Sequence, residues 1–219
     1  MRFGILGGTF DPIHFGHLRL AEEVGEELGL QRVYFIPAAL PPHKDRKPVS
    51  AFQDRMAMTR MAIKESPLLE ALDLDAQRQG RSYSIETLKE FRRHFEGEVE
   101  LFFIIGMDAF LEIRTWKDYK ALFDHAHFLV ISRPGFQSDD LGTFLTSLSV
   151  GFKKEKDGNI FVAPSGNRLI FKEATLMDIS STDIRNRVAA GKTIRFLVPE
   201  AVRAYIMEKR LYMVHGNSR

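Results

Sequence analysis

The chain has 219 residues, no cysteine, and 31 Lys plus Arg against 29 Asp plus Glu, a formal net charge of +2. With 44% hydrophobic and 27% charged residues it has the composition of a globular protein with material for a sizeable core, which excludes an intrinsically disordered chain. The missing cysteines exclude disulfides, thiolate metal sites and a cysteine nucleophile. The near-zero charge balance excludes a globally basic nucleic-acid binder but leaves room for a local anion site. The longest apolar run, Leu101 to Met107, is seven residues and contains Gly106. A membrane-spanning helix needs about 20. The N-terminal apolar stretch is too short and too glycine-rich for a signal-peptide core. A cytoplasmic protein with no membrane partner is expected.

In chain order, Arg2–Leu6 reads as a strand. Phe15–Leu28 reads as a helix, with Leu18, Ala21, Val24 and Leu28 on one face and Gly29 at its C-terminal cap. Arg32–Ile36 is a second strand, stopped by Pro37. After a Pro-rich loop, Ser50 is placed to cap a helix over Gln53–Lys64. Leu68–Leu74 is a weaker strand, and Ser84–Phe95 a helix with Ile85, Leu88, Phe91 and Phe95 in register. Val99–Ile105 is apolar but for Glu100, as suits a central parallel strand covered on both faces, and His127–Ile131 is another strand. Leu141, Phe144, Leu145 and Leu148 suggest a helix, and Asn159–Lys172 a hairpin or two short strands. Asp183–Ala190 and Glu200–Glu208 close the chain as helices, with Ser180 or Ser181 capping the first and Pro199 at the start of the second. The alternation predicts an α/β fold with a mainly parallel sheet and helices on both faces. It reads as one domain over residues 1–219, with residues 135–172 as a small irregular insertion.

Two segments carry chemistry. Gly7-Gly8-Thr9-Phe10-Asp11-Pro12-Ile13-His14-Phe15-Gly16-His17 follows the first strand directly. Its glycines let backbone approach a ligand closely. It feeds a helix whose free N–H groups and dipole attract phosphate. His14 and His17, three apart, share one side of the first turn. The second segment is Ile179-Ser180-Ser181-Thr182-Asp183-Ile184-Arg185, hydroxyls at a helix start with a guanidinium one turn on.

The first segment resembles the HxGH signature of the nucleotidylyltransferase superfamily, and the second its ISxTxxR motif. The resemblance implies a Rossmann-like fold and transfer of a nucleoside monophosphate from a nucleoside triphosphate, with pyrophosphate released. It implies that His14, His17, Lys44 and Arg185 stabilise charge on the triphosphate. It also implies that Gly7, Gly8, Thr9, Phe10, Gly106, Asp108, Ile179, Ser180, Ser181 and Thr182 line the ATP site. Further segments narrow the likeness. Pro41-Pro42-His43-Lys44, Gly80-Arg81-Ser82-Tyr83-Ser84-Ile85-Glu86-Thr87-Leu88, Gly106-Met107-Asp108, Thr115-Trp116-Lys117 and Ser132-Arg133-Pro134-Gly135 together resemble the bacterial nicotinate-nucleotide adenylyltransferase family. That family joins ATP and nicotinate mononucleotide into deamido-NAD.

The resemblance implies that Lys44, Tyr83, Ser84, Trp116, Lys117 and Arg133 meet the mononucleotide. Backbone amides near Ser84 and Trp116 would hold the nicotinate carboxylate. It implies Mg²⁺ carried by ATP and pyrophosphate, and no dedicated protein carboxylate cage. Ser84 stands where many relatives have threonine, a mild change if the contact runs through backbone. A nicotinamide-mononucleotide adenylyltransferase and a non-catalytic nucleotide-binding module are the competing readings. Oligomeric state is not legible in the sequence.

Overall fold

The computed structural model describes residues 1–41, 49–78, 80–95, 97–132, 141–156, 158–175 and 177–213. The N-terminal half alternates strand and helix. These elements are β1 (Arg2–Gly8), α1 (Phe15–Glu27), β2 (Arg32–Pro37), α2 (Phe52–Ile63), β3 (Leu69–Ala71), α3 (Ser84–His94) and β4 (Glu100–Gly106). Then come α4 (Met107–Leu111), a single 3₁₀ turn (Ile113–Thr115), α5 (Tyr119–His125), β5 (His127–Ser132) and α6 (Leu141–Ser147). The chain continues through β6 (Lys153–Lys154), β7 (Ile160–Val162) and β8 (Arg168–Glu173), and ends on α7 (Ser181–Ala189) and α8 (Glu200–Glu208).

The strands form one sheet in the order β3-β2-β1-β4-β5-β8-β7-β6. The first six are parallel; β7 and β6 run antiparallel at one edge. This is a Rossmann-like, mainly parallel α/β sheet. Residue parity explains why both faces must be covered. Phe3 and Ile5 of β1, and Leu101, Phe103 and Ile105 of β4, enter one core with Ile85, Leu88 and Phe91 of α3, Phe110 of α4 and Phe123 of α5. Leu6 of β1, and Phe102 and Ile104 of β4, enter the other with Ala21 and Val24 of α1, Met58 of α2, Ile184 and Val188 of α7, and Val202 and Ile206 of α8. A strand buried on both sides reads as the continuous apolar run seen at 101–105.

Local stop signals behave as their chemistry requires. Gly29 has φ +57°, and the pair Gly29 N–H to Glu26 O and Leu30 N–H to Gly25 O closes α1 as a Schellman motif. Ser180 caps α7, its hydroxyl accepting the Asp183 amide at 3.0 Å.

Two expectations change. Ser50 does not cap α2; the cap position is Ala51, because the Ser50 backbone is held by Asp11 and Arg55 instead. The weak strand at 68–74 pairs only over Leu69–Ala71, since the chain turns away through the Ala76 N–H to Asp73 O bond. The closing helix expected over Glu200–Glu208 is α8, with Pro199 at its start as the cap residue. Within 135–172 the expected helix is α6 and the expected strands are β7 and β8, with the short β6 added before them. Strand β8 pairs in parallel with β5, and Leu145, Leu148, Phe161 and Leu169 join the first core. Among the described residues no helix is long and apolar enough to cross a membrane.

Candidate active site

The strand order reverses direction between β1 and β4, and ligands of such sheets sit beyond the carboxyl ends of the strands at that point. The last rung between the two strands is Leu6–Ile104. Two residues further along each strand come Gly8 and Gly106. Gly7 and Gly106 are exposed, and a methyl added at Gly106 would meet nothing within 4 Å. The mouth of the crevice is thus bare backbone. Asp108 is exposed in the first turn of α4, at the end of β4, and Gly106 rather than Asp108 is the cap.

The turn from β1 into α1 is held from outside by side chains. Phe10 is buried at φ +49° and packs edge-on to the His17 ring at 5.1 Å. Three of the turn's carbonyls each take a side-chain donor. Thr9 O accepts from Arg55 Nη1 at 2.7 Å, Asp11 O from Arg185 Nη1 at 2.6 Å, and Pro12 O from Ser181 Oγ at 2.8 Å. The structure therefore brings the two sequence motifs into direct contact across 169–174 residues of chain. In this state Ser180 is used as a cap, Ser181 on Pro12, and Arg185 on Asp11 and the Thr182 hydroxyl at 3.0 Å. Ile179 leads into the helix, and the amides of Ser181 and Thr182 lie in its first turn, where they have no intrahelical acceptor.

His14 is the cap residue of α1 and is buried; its rings and those of His17 stack at 3.7 Å and 25°. The His14 N–H donates to His17 Nδ1 at 3.3 Å, which places the His17 proton on Nε2 in its neutral form. His14 Nδ1 is buried with no hydrogen-bond partner among the described residues. Burial pulls the His14 pKa down to about 4. Burial, then the neighbouring His14, pulls His17 well below the ordinary imidazole value. Both rings are neutral donors at neutral pH. The helix start offers fewer free amides than the sequence suggested. Phe15 N–H is committed to Leu197 O at 3.0 Å and His17 N–H to His14 O at 3.0 Å, which leaves Gly16.

A second group lies on the other face of the sheet. Tyr83 precedes α3, and the first-turn amides of Ser84 and Ile85 have no intrahelical acceptor, while those of Glu86 and Thr87 return to Tyr83 O. Lys117 Nζ is 3.0 Å from Glu86 and 5.1 Å above the Tyr83 ring, which ties residue 117 to the start of α3. Trp116 is half-buried, edge-on to Phe103 of β4 at 6.3 Å. Its backbone N–H is already given to Ile113 O at 2.9 Å, so the expected amide donor at 116 is spoken for, whereas that at Ser84 is open among the described residues. Lys44 and Arg133, expected at phosphates, lie outside the described residues, as do the rest of 42–48 and 133–140. Among the described residues, no group of three or more His, Cys, Asp or Glu side chains is placed to hold a metal ion.

Sequence reasoning missed Asp11, Arg55 and Tyr212. Asp11 is 2% exposed and Arg55 1% exposed. Asp11 alone carried a local signal, a charged residue between Phe10 and Pro12; Arg55 follows Asp54, and Tyr212 lies beyond the last helix.

A doubly covered parallel sheet, with a glycine–histidine turn at its reversal point and a Ser/Thr–Arg helix start folded back onto it, defines a nucleotidylyltransferase-type site. The chain matches the cytidylyltransferase-like family over residues 5–187. It is 45% identical to a probable nicotinate-nucleotide adenylyltransferase of Desulfatibacillum aliphaticivorans, over 97% of this chain and 100% of that sequence. It is 44% identical to one of Syntrophotalea carbinolica, over 97% of each. Among solved structures, the Plasmodium falciparum nicotinic acid mononucleotide adenylyltransferase complexed with NaAD superposes with a TM-score of 0.73 at 18% identity, covering 96% of this chain and 97% of that one. The chain belongs to the nicotinate-nucleotide adenylyltransferase family of cytidylyltransferase-like proteins.

Proposed function

We propose that this protein transfers the adenylyl group of ATP to nicotinate mononucleotide, forming deamido-NAD and pyrophosphate in NAD biosynthesis. The observation that carries the reading is the joining of the two motifs, Arg185 on Asp11 and Ser181 on Pro12, beside the stacked histidine pair. A phosphate oxygen of the mononucleotide attacks the α-phosphorus of ATP, and the bond from that phosphorus to the β-phosphate bridge oxygen breaks. The attacking oxygen is already an anion, so no protein base is required. The chain's contribution is alignment and charge stabilisation. His17 Nε2–H and the His14 ring supply uncharged donors in a site where burial makes each hydrogen bond count for more. Arg185 supplies the fixed positive fork, and the first-turn amides of α7 add donors for the departing phosphates. Mg²⁺ carried by ATP would supply charge neutralisation at the phosphate oxygens. Lys44 and Arg133 are assigned to phosphate on sequence grounds.

The acceptor end is proposed to lie at Trp116 and the start of α3, where the open Ser84 and Ile85 amides suit a carboxylate better than a neutral amide. The P. falciparum relative is described in complex with NaAD, the product of this reaction. The test is pyrophosphate release from ATP with nicotinate or nicotinamide mononucleotide. Faster turnover with nicotinate is expected. Equal rates would favour a dual-specificity enzyme, and no pyrophosphate with either would leave only nucleotide binding.

A further inference from the structure

The Asp11 carboxylate sits three residues before His14, 2% exposed, and each of its oxygens already accepts a hydrogen bond. Oδ1 takes the Tyr212 hydroxyl at 2.7 Å, and Oδ2 takes the Ser50 N–H at 3.3 Å. The backbone carbonyl of the same residue takes Arg185. Around it, the almost fully buried Arg55 bonds Thr9 O, Ala39 O at 3.2 Å and Ser50 O at 3.0 Å. Tyr212 lies 201 residues from Asp11, beyond α8, in the last stretch of the described chain. Burial, then the charge of Asp11, pushes its phenol well above the ordinary tyrosine value, so the hydroxyl stays a donor throughout the physiological range. A carboxylate with both oxygens engaged and no solvent access is poorly placed to act as a base or to meet a ligand. It is well placed to fix the turn on which the histidines are mounted.

We infer that Tyr212 and Asp11 are a pair of positioning residues for adenylyl transfer: the C-terminal segment latches the β1–α1 turn and so sets the place of the His14–His17 stack and of Arg185. This rests on the adenylyl-transfer reading above. A second tyrosine provides an internal comparison. Tyr205 of α8 donates to Asp54 of α2 at 2.8 Å, also linking the C-terminal part to the rest of the chain, but without touching the turn.

The experiment is a set of four variants of the full chain, Tyr212→Phe, Asp11→Ala, the double variant and Tyr205→Phe, each assayed for kcat, both KM values and Tm. If the latch positions the turn, Tyr212→Phe lowers kcat by about tenfold or more, because small displacements of reacting groups carry large rate penalties. The KM values should move by less than about twofold on the same argument. Tyr205→Phe should lose comparable Tm with kcat unchanged. In the double variant the two effects should fall well short of multiplying, since both substitutions break one contact. A Tyr212→Phe enzyme with wild-type kcat, an equal kcat loss in Tyr205→Phe, or fully multiplicative effects would overturn the inference. Should one of the two latch variants fail to fold, the other read against Tyr205→Phe decides alone. Wild-type turnover with nicotinate mononucleotide tests the underlying reaction separately, so the two failures are distinguishable.

Discussion

The two histidines show how burial and chemistry meet in single residues. An imidazole in an unfolded chain titrates at 6.5, whereas that of His14 is pulled down to about 4 by burial. Between these values the unfolded state holds a proton that the folded state refuses. Stability therefore rises with pH across this window: it is complete above about pH 6.5 and is lost as pH falls toward 4. The loss from His14 alone is about 3 kcal/mol at the acid end. Thermal unfolding from pH 7.5 to pH 4.5 should show a steep fall in Tm that flattens in His14→Asn; the same slope in both proteins would contradict it. His17 supports a different expectation. Its Nδ1 is occupied by the His14 N–H, so its function rests on the Nε2 proton. His17→Ala should lose on the order of 10²–10³ in kcat, the usual cost of removing one preorganised charge-stabilising donor. It should do so while unfolding as cooperatively as the wild type. Near-normal turnover would sink that assignment.

At the level of elements, the start of α1 depends on Gly16. A methyl built there would lie 3.1 Å from His14 Nδ1 and 3.2 Å from His14 Cε1, tight enough that the ring must give way. An alanine is favoured over glycine inside a helix by about 1 kcal/mol. Gly16→Ala should therefore change Tm little, the helix gain offsetting the crowding, yet cut kcat about tenfold or more by displacing the stack. A fully active Gly16→Ala enzyme would show that the stack has room to move. The elements themselves were legible wherever a run had to satisfy a strict period. The doubly buried stretch from Leu101 to Ile105 and the Leu18–Ala21–Val24 face of α1 are such runs. Alpha-helices α4 and α5 were not seen. The five residues of α4 are too few to display a 3.6 period, and α5 starts from Asp118 in a left-handed conformation that no local rule demands. The histidine pair and the α7 cap were readable because their partners are three residues away. Asp11, Arg55 and Tyr212 were not, because a buried polar residue is explained only by partners tens to hundreds of residues distant. The same limit hid the prior engagement of Ser181 and Arg185 with the turn.

Across the whole molecule, the sheet divides the work. The helix α1 and the motif-bearing α7 share one core, while α3, the 3₁₀ turn and Trp116 belong to the other. The two proposed substrate ends are thus built on opposite faces and meet only at the carboxyl edge of β1 and β4. Phe103 of β4 is the residue beneath that meeting point. It is buried, contacts Phe128 at 5.3 Å and the Trp116 ring at 6.3 Å, and its ring lies 3.8 Å from where a side chain on Gly7 would begin. Phe103→Ala should cost about 3–5 kcal/mol through lost contacts and an unfilled cavity. For a chain of this size that corresponds to a Tm lower by roughly 6–20 °C. Because Trp116 loses the ring it leans on, the KM for the mononucleotide should rise more than that for ATP when both are measured below the new transition. A parallel rise in the two KM values would mean that the sheet transmits the defect to both faces alike, and that the acceptor end is not carried by the Phe103–Trp116 contact.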